Sequence, residues 1–231
     1  MKKTVVIHQP DFMPYLGFFH RFLHADLYIA LDDVQFVSSS RSWNNRDKIK
    51  TKNGEKWLTV SVNKAPRSTN INEITINYEM DWKNKNLELL KQNYKRSAFF
   101  NEIFPYINAL YSKKFEKLLD FNVASIVMLN ELFDIKVDTI FSSELETTKT
   151  KSERLVELLT QVDATHYLSG VGARGYHVDE PFQKSNIEVI WQDFKHPVYP
   201  QLYGEFVSYL SSIDLLFNCG IEKSREILRS I

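Results

Sequence analysis

The order of secondary structure near the N-terminus constrains the fold of this chain more than any other feature. Residues 4–8 (TVVIH) and 27–33 (LYIALDD) are apolar, strand-like runs, and the second run ends in two carboxylates. The segment between them places Leu16, Phe19 and Leu23 at helical spacing. A strand, a helix and a strand within about thirty residues predict a right-handed βαβ unit whose two strands are parallel.

The remainder of the chain alternates in a similar way. Strand-like runs lie at residues 56–62, 72–78, 135–142, 166–170 and 187–194. Helical periodicity covers residues 82–94 and resumes from about 104 to 133, with a break predicted near Asp120, whereas residues 37–54 predict an irregular polar loop. We therefore predict an α/β fold, a mostly parallel sheet flanked by helices, with a helical insertion in the middle of the chain. We expect one domain, residues 1–231, in which residues 80–133 form a helical lobe.

The composition narrows the class of protein. Of the 231 residues 43% are hydrophobic, which is enough for one substantial core. Lysine plus arginine equal aspartate plus glutamate, at 29 each, so binding of nucleic acid through bulk charge is not expected. The sequence has no apolar run of membrane-spanning length, and the apolar stretch before His8 is too short for an export signal. We predict a cytoplasmic protein, with a homodimer as a candidate assembly.

Polar side chains follow four of the predicted strands. Because ligands of open parallel sheets bind beyond the carboxyl ends of the strands, these side chains are candidate site residues. They are His8 and Gln9 after the first strand, Asp32, Asp33 and Gln35 after the second, Ser169, Gly170, Gly172 and Tyr176 after HYL, and Gln192 and His196 after IEVIW. We expect His8, the two aspartates and His196 to meet in one cleft.

Each of these groups also has a purely structural interpretation. The Asp32–Asp33 pair suits a solvated turn, since aspartate readily bonds the backbone there. Buried, hydrogen-bonded core positions would equally account for His8 and His196. His20 and His24 stand at the i, i+4 spacing of metal ligands, but no third ligand is evident nearby, so we predict that both lie on the helix surface.

Two further segments contain candidate anion-binding groups. Residues 41–52 place several basic side chains around Trp43, which suits either solvent or an anionic, nucleotide-bearing ligand. These basic residues are Arg41, Arg46, Lys48, Lys50 and Lys52. The stretch SGVGARG (169–175) carries three glycines after a strand, which permit close approach of the backbone to an anion.

No standard cofactor motif accompanies these segments. The glycines of residues 169–175 lack the spacing of the dinucleotide fingerprint, and the sequence has no P-loop, nucleophile elbow or HExxH. Cys219 is the single cysteine, which excludes an internal disulfide and a multi-cysteine zinc site, and we predict that it is a packed small side chain. The cofactor therefore stays unknown, without an NAD, P-loop or zinc signature, and no metal ligands are predicted.

Five segments in order resemble one known family. They are IHQPDFMPYLGFFHRF, DLYIALDDVQF, WNNRDKIKTKNGEKWLTVSV, YLSGVGARGY and QDFKHPVYPQLYGEFVSYLSSIDLLFNCG. Together they are similar to the WbqC-like protein family over essentially the whole chain. The resemblance implies a bacterial protein of surface-polysaccharide (O-antigen) biosynthesis and, for some members, transfer of an acyl or aminoacyl group such as glycyl to an amino sugar. The opening βαβ unit is also similar to that of nucleotidyltransferase-type proteins, although their H-x-G-H signature is absent.

Matched by position, the resemblance selects residues from all five segments. Besides the strand-end residues above, it implies that Tyr15, Trp43, Asn45, Arg46, Tyr199, Gln201 and Asn218 belong to the site, and it also picks out Pro10, Pro14, Gly17, Trp57, Pro197 and Asp214. Related sequences tend to carry Lys-His where this chain has Lys85-Asn86, so a histidine there is not required.

The leading hypothesis is an enzyme that uses an activated donor to acylate the amino group of a nucleotide-linked sugar. His8 would be the base, with His196 as the second choice, and Asp32 or Asp33 would orient the histidine or bind the amine. The binding roles go to Arg46 for a phosphate or carboxylate, to the Gly170 and Gly172 amides for an anionic group, and to Trp43 and Tyr15 for the sugar.

Two alternatives come from other classes of protein. The first is a non-catalytic saccharide- or nucleotide-binding protein of the same pathway, in which the same groups bind without turnover. The second is a metal-dependent hydrolase that uses His8, Asp32 and His196 as ligands.

Overall fold

The computed structural model describes residues 2–37 and 42–231. The strands are β1 (Thr4–His8), β2 (Leu27–Ala30), β3 (Arg46–Thr51), β4 (Gly54–Thr59), β5 (Asp138–Phe141), β6 (His166–Ser169) and β7 (Glu188–Trp191). A five-stranded sheet in the order β5-β2-β1-β6-β7 forms the centre, and all of its neighbouring strands are parallel. The predicted α/β fold with a parallel sheet is confirmed.

Strands β3 and β4 form a separate antiparallel hairpin, which corrects the predicted loop between residues 46 and 54, whereas residues 38–41 of that prediction lie outside the described residues. The pairing of Thr51 with Gly54 closes a two-residue tip, and Gly54 takes the positive φ of 93° that this tight turn requires. In β3 the buried Asp47 and Ile49 alternate with charged neighbours. This is a strand pattern, but the high charge content of the segment conceals it.

Helices cover the segments with helical periodicity. They are α1 (Leu16–Phe22), α2 (Trp82–Tyr94), α3 (Phe100–Ser112), α4 (Leu118–Phe133), α5 (Lys151–Gln161), α6 (Glu180–Lys184) and α7 (Ile213–Arg229). The break before α4 falls at residues 113–117 rather than near Asp120, which lies in the first turn of that helix. Buried residues of α2, α3 and α4 belong to the same apolar cluster as those of α1. The helical lobe, the single domain and the nucleotidyltransferase analogy stay predictions.

The order of the strands determines where the sheet changes direction. From β1 the chain adds β2 and then β5 toward one edge, whereas β6 and β7 extend the sheet toward the other edge. The aromatic side chains of α1 pack on one face with Val6 and Tyr28, and α5 and α6 cover the opposite face with Val5 and Ile29. The topological switch point therefore lies between β1 and β6, where open α/β sheets bind ligands.

Strands β1 and β6 part before they end. Their pairing stops at Val5 and Tyr167, although β1 continues to His8 and β6 continues to Ser169. On its other side β1 stays paired with β2 as far as His8. The carboxyl ends of β1 and β6 therefore border a gap in the sheet.

The loop that follows β1, residues 9–15, is fixed by distant parts of the chain. From α4 the buried Asn122 side chain donates hydrogen bonds to the carbonyls of Pro10 (2.8 Å) and Asn44 (2.6 Å). Further bonds join Phe12 to Trp43, Met13 to Ser211 and Pro14 to Ser212. These contacts hold Met13 at a φ of 40°, a backbone conformation that residues other than glycine seldom adopt.

Replacement of Asn122 tests how much this loop depends on α4. Asn122→Ala leaves two buried carbonyl groups without donors, and we expect the free energy of unfolding to fall by about 3 kcal/mol. Equilibrium urea unfolding measures the change. Asn101→Ala, at an exposed position of α3, is the control and should change stability by less than about 0.5 kcal/mol. Equal stabilities of the two variants would contradict the anchoring role of Asn122.

Candidate functional site

A cavity of about 490 Å³ lies in the gap between β1 and β6, a volume in the range of small-molecule sites. Both strands line it directly, β1 with Ile7 and His8 and β6 with Tyr167 and Ser169. Three other elements contribute charged or titratable groups: Asp11 comes from the loop after β1, Arg21 from α1 and Asp47 from β3. The cavity is therefore polar at the strand ends.

His8 has one ring nitrogen bonded and one left as an acceptor. Its Nδ1 lies 2.9 Å from the Gln9 carbonyl oxygen, which can only accept, so Nδ1 carries the proton and Nε2 is the acceptor of the neutral ring. The edge of the ring contacts Phe18, with 5.4 Å between the ring centroids. About a third of the side chain, 34%, remains accessible. His8 is thus oriented by the protein and open to a ligand.

Asp11 lies beside this histidine and is held by an amide network. Its Oδ2 is 3.6 Å from Nδ1 of His8, and its Oδ1 accepts a hydrogen bond of 3.1 Å from Nδ2 of Asn44. The same Asn44 nitrogen also donates to Oε1 of Gln9 at 3.2 Å. The side chain of Gln9, a predicted site residue, is therefore linked to Asp11 through Asn44, and its backbone carbonyl bonds His8 directly.

Burial shifts the pKa values of these groups in opposite directions. Burial, together with the positive charge of Arg21, lowers the pKa of His8 to about 3. Burial raises the pKa of Asp11 to about 7, although the Arg21 charge and the Asn44 hydrogen bond oppose this shift. Burial also raises the pKa of Asp47 well above its usual range. At neutral pH the His8 ring is therefore neutral, and Asp11 is divided between its protonated and ionised forms.

Exposed aromatic rings surround the cavity. Trp43, Tyr176 and Tyr209 line it and expose 41%, 74% and 56% of their surface. Tyr15 also lines the cavity, and its ring centroid lies 6.1 Å from that of Tyr209. Large exposed aromatic faces around a polar cavity suit stacking on a sugar ring or a base.

Eight of the sequence-predicted residues line this one cavity. They are His8, Tyr15, Trp43, Ser169, Gly170, Gly172, Tyr176 and Gln192. Ser169 and Gln192 are buried, and the Gln192 side chain donates a 2.7 Å hydrogen bond to the carbonyl of Gly17 in α1. Residues from the groups that follow the first predicted strand, HYL and IEVIW therefore line the same cavity.

Asp32 and Asp33 do not line the cavity with His8. The Asp32 carboxylate accepts hydrogen bonds from the Ser143 amide (3.0 Å) and hydroxyl (2.7 Å) in the turn after β5. Asp33 forms an ion pair of 2.6 Å with Arg154 of α5, which lowers the pKa of Asp33 against the effect of its burial. Both carboxylates therefore connect β2 to the neighbouring elements, and the expectation of one cleft shared by His8, this pair and His196 is not met.

His196 also lies outside the residues that line the cavity. Its Nδ1 lies 2.9 Å from the Pro197 carbonyl, and its ring packs 5.1 Å from that of Tyr209. Burial lowers the pKa of His196. The predicted residues Tyr199, Gln201 and Asn218 instead hydrogen-bond to Asp214 of α7. These three residues therefore have structural partners in α7 and do not line the cavity.

The remaining predicted binding residues are not among those that line the cavity. The exposed Gln35 donates to the Arg67 carbonyl at 2.7 Å, Asn45 donates to the Val60 carbonyl at 3.1 Å, and the Arg46 guanidinium lies 4.3 Å from the Trp57 ring centroid. In the basic run Lys50 is buried and donates to Gln201, while Arg41 lies outside the described residues.

The two helix histidines and the cysteine complete the comparison. His24 is exposed as predicted, but His20 is buried, because its Nδ1 contacts the Gln192 amide (3.1 Å) and its ring packs on Phe194. Cys219 is buried in the core. Within residues 2–37 and 42–231 no group of three or more histidine, cysteine, aspartate or glutamate side chains is arranged to hold a metal ion.

Three charged residues of the cavity escaped the sequence reasoning. Asp11 stands in the same short loop as Gln9 but does not follow a strand directly. Arg21 is a charged residue within the apolar run FFHRF. Because buried charges are rare, a charge in such a run indicates a functional residue. Asp47 lies in β3, a segment whose high charge content predicts a loop instead of a strand.

Comparison with known proteins identifies the family of this chain. The model of the WbqC-like protein family matches residues 9–226. The chain belongs to the WbqC-like protein family. The chain is also similar to uncharacterized protein Rv1507c of Mycobacterium tuberculosis (strain ATCC 25618 / H37Rv). The two are 33% identical over 226 residues, which cover 96% of each chain. Because that relative is uncharacterized, the similarity adds no reaction to the family assignment.

Two negative findings accompany the WbqC-like assignment. No solved structure matches the chain. Among the helices of the described ranges, none is both long enough and apolar enough to cross a membrane.

Asp11 provides a test of the cavity that does not require a substrate. Its folded-state pKa of about 7 exceeds the unfolded value, so as the pH rises between the two, the unfolded chain loses its proton first and stability falls. Asp11→Asn removes this loss. We expect the variant to gain about 4 kcal/mol relative to the wild type between pH 4 and pH 8 in urea unfolding.

Asp138→Asn, an exposed position at the start of β5, is the matched control and should follow the wild-type pH dependence. If the stability of Asp11→Asn changes with pH in parallel with the wild type, Asp11 has an ordinary pKa and the cavity is not desolvated.

Proposed function

We propose that this member of the WbqC-like family forms an amide by transferring an acyl or aminoacyl group, such as glycyl, to the amino group of a nucleotide-linked sugar. The observation that supports the proposal most is the neutral His8 ring beside Asp11 in a cavity at the switch point of the sheet. The surface-polysaccharide (O-antigen) pathway implied by the family resemblance supports the class of substrate.

In this mechanism His8 accepts the proton of the attacking amine. The amine nitrogen forms a bond to the carbonyl carbon of the donor, and the bond from that carbon to the leaving group breaks. The amine proton passes to Nε2 of His8 and from there to the leaving group, so the ring returns to its neutral form. Asp11, ionised above its pKa of about 7, stabilises the transient imidazolium and makes an otherwise weak base effective.

The other lining groups suit binding of the two substrates. The rings of Trp43, Tyr176 and Tyr209 offer faces for the sugar or the base. The Ser169 hydroxyl and the backbone at Gly170 lie at the end of β6, on the opposite side of the gap from His8. Hydrogen-bond donors at this position could stabilise the oxyanion that develops on the donor carbonyl.

A non-catalytic binding protein of the same pathway is the rival from another class, because the same cavity could bind a saccharide without turnover. The geometry argues against a hydrolase with His8, Asp32 and His196 as metal ligands, because these three side chains do not converge. The homodimer and the cytoplasmic location stay predictions.

Turnover by His8 variants separates the enzyme from the binding protein. We expect purified wild-type protein, given nucleotide-linked amino sugars with acyl and aminoacyl donors, to yield a product with the mass of the amide in mass spectrometry. His8→Ala should reduce the rate at least about 100-fold, the usual contribution of a general base. Its affinity for the sugar nucleotide should stay within about tenfold, or 1.4 kcal/mol.

His24→Ala is the control, because this exposed histidine does not line the cavity. Intact binding of sugar nucleotides without product from any donor would favour the binding protein. Unchanged turnover by His8→Ala would remove His8 from the mechanism.

A further inference from the structure

Arg21 is a buried cation whose guanidinium has no acceptor among the residues that the structure describes. The residue is only 3% exposed, it lines the cavity, and its Nε is buried without a hydrogen-bond partner. Nor does any acceptor in residues 2–37 or 42–231 bond its terminal nitrogens. The face of the Phe18 ring, whose centroid lies 5.7 Å from the guanidinium carbon, is its aromatic contact.

Such an arrangement is unfavourable in an empty site, because buried charges are normally paired and hydrogen-bonded. Other cations of this protein follow that rule. Arg154 pairs with Asp33 at 2.6 Å, and the buried Lys50 donates to the side chain of Gln201 at 3.2 Å. A planar guanidinium that lacks an acceptor inside a cavity is therefore prepared for an acceptor that the ligand brings.

The carboxylate of Asp11, which lines the same cavity, is already engaged by other groups. Asp11 influences Arg21 electrostatically, but no ion pair joins their side chains within 4.0 Å. One Asp11 oxygen accepts from Asn44, and the other lies beside Nδ1 of His8. Gly170, the residue after β6, lies close to Arg21. Nη1 of Arg21 is 3.3 Å from the point that a Cβ on Gly170 would occupy.

We propose that Arg21 binds an anionic group of the substrate, a carboxylate or a phosphate, on the side of the cavity formed by Gly170. The inference rests on the proposed function for its choice of ligand and refines it: the substrate carries its negative charge near the end of β6, and His8 acts from the end of β1. A phosphate would come from the nucleotide, whereas a carboxylate would come from the sugar or the donor. Arg21 also explains why a glycine follows β6, because a larger residue would press on the guanidinium.

Isothermal titration of the full chain tests the proposal with two sets of probes. Pyrophosphate and uridine diphosphate represent the phosphate source, and glucuronate and glycine represent the carboxylate source. We expect saturable binding of one set by the wild type. Arg21→Lys keeps the charge but loses the planar fork, so it should weaken this binding about tenfold, and Arg21→Gln should weaken it at least about 100-fold.

The glycines provide a second, independent pair of variants. Gly170→Ala places its methyl group against Nη1 and should weaken binding of the same probe about tenfold, whereas a Cβ at Gly175 meets nothing within 4 Å, so Gly175→Ala should bind as the wild type does. This pair answers the question even if the Arg21 variants fail to fold. Binding of neither probe set, wild-type affinity in Arg21→Gln, or equal affinities of the two glycine variants would overturn the proposal.

Thermal unfolding separates a binding role from a structural one. A ligand-binding arginine is unpaired in the free protein, so Arg21→Gln should leave the Tm of the free protein unchanged or raised and should abolish its rise with the bound probe. A large fall of the Tm in free protein would make Arg21 structural and contradict the proposal. Binding through Arg21 without amide formation would instead refute only the proposed enzyme, and amide formation by Arg21→Gln at the wild-type KM would refute only the anion site.

Discussion

The early end of the pairing between β1 and β6 is the feature on which the site depends. Backbone groups beyond Val5 and Tyr167 are no longer bonded across this pair, so the two strand ends diverge and the space between them becomes a cavity. The separation occurs at the switch point of the sheet, since β1 is followed outward by β2 while β6 begins the other half. A continuous ladder at this position would bring the strands to within about 5 Å and leave no room for a ligand.

Burial and charge set the electrostatics of the polar groups in this gap. His8 is kept neutral, the pKa of Asp11 is raised to about 7, and the Nε of Arg21 is buried without a hydrogen-bond partner among residues 2–37 and 42–231. Such a combination costs stability in the free protein, and functional sites are where such costs are tolerated. The charge of Arg21 contributes to the low pKa of His8, so the proposed anion site and the proposed base are electrostatically coupled.

Local sequence patterns were sufficient to predict the parallel sheet and the polar ends of β1 and β6. They were insufficient where contacts between distant segments decide the outcome. Asp32 follows a strand as His8 does, yet hydroxyl and amide groups more than a hundred residues away engage it, and Arg154 engages Asp33. In the same way Asn44 and Asn122 fix the loop of Asp11 through bonds that no short motif encodes.

The protonation of His8 tests the desolvated site most directly. In protein with ¹³C-labelled histidine, NMR can follow the Cε1–H signal of each ring across pH 5 to 8, with assignment of His8 by the His8→Gln variant. We expect that His8 shows no protonation step of its own in this range and gives the shifts of a neutral ring, apart from a small perturbation near pH 7 as Asp11 ionises. A full titration of His8 with a midpoint near the ordinary value of about 6.5 would contradict this expectation.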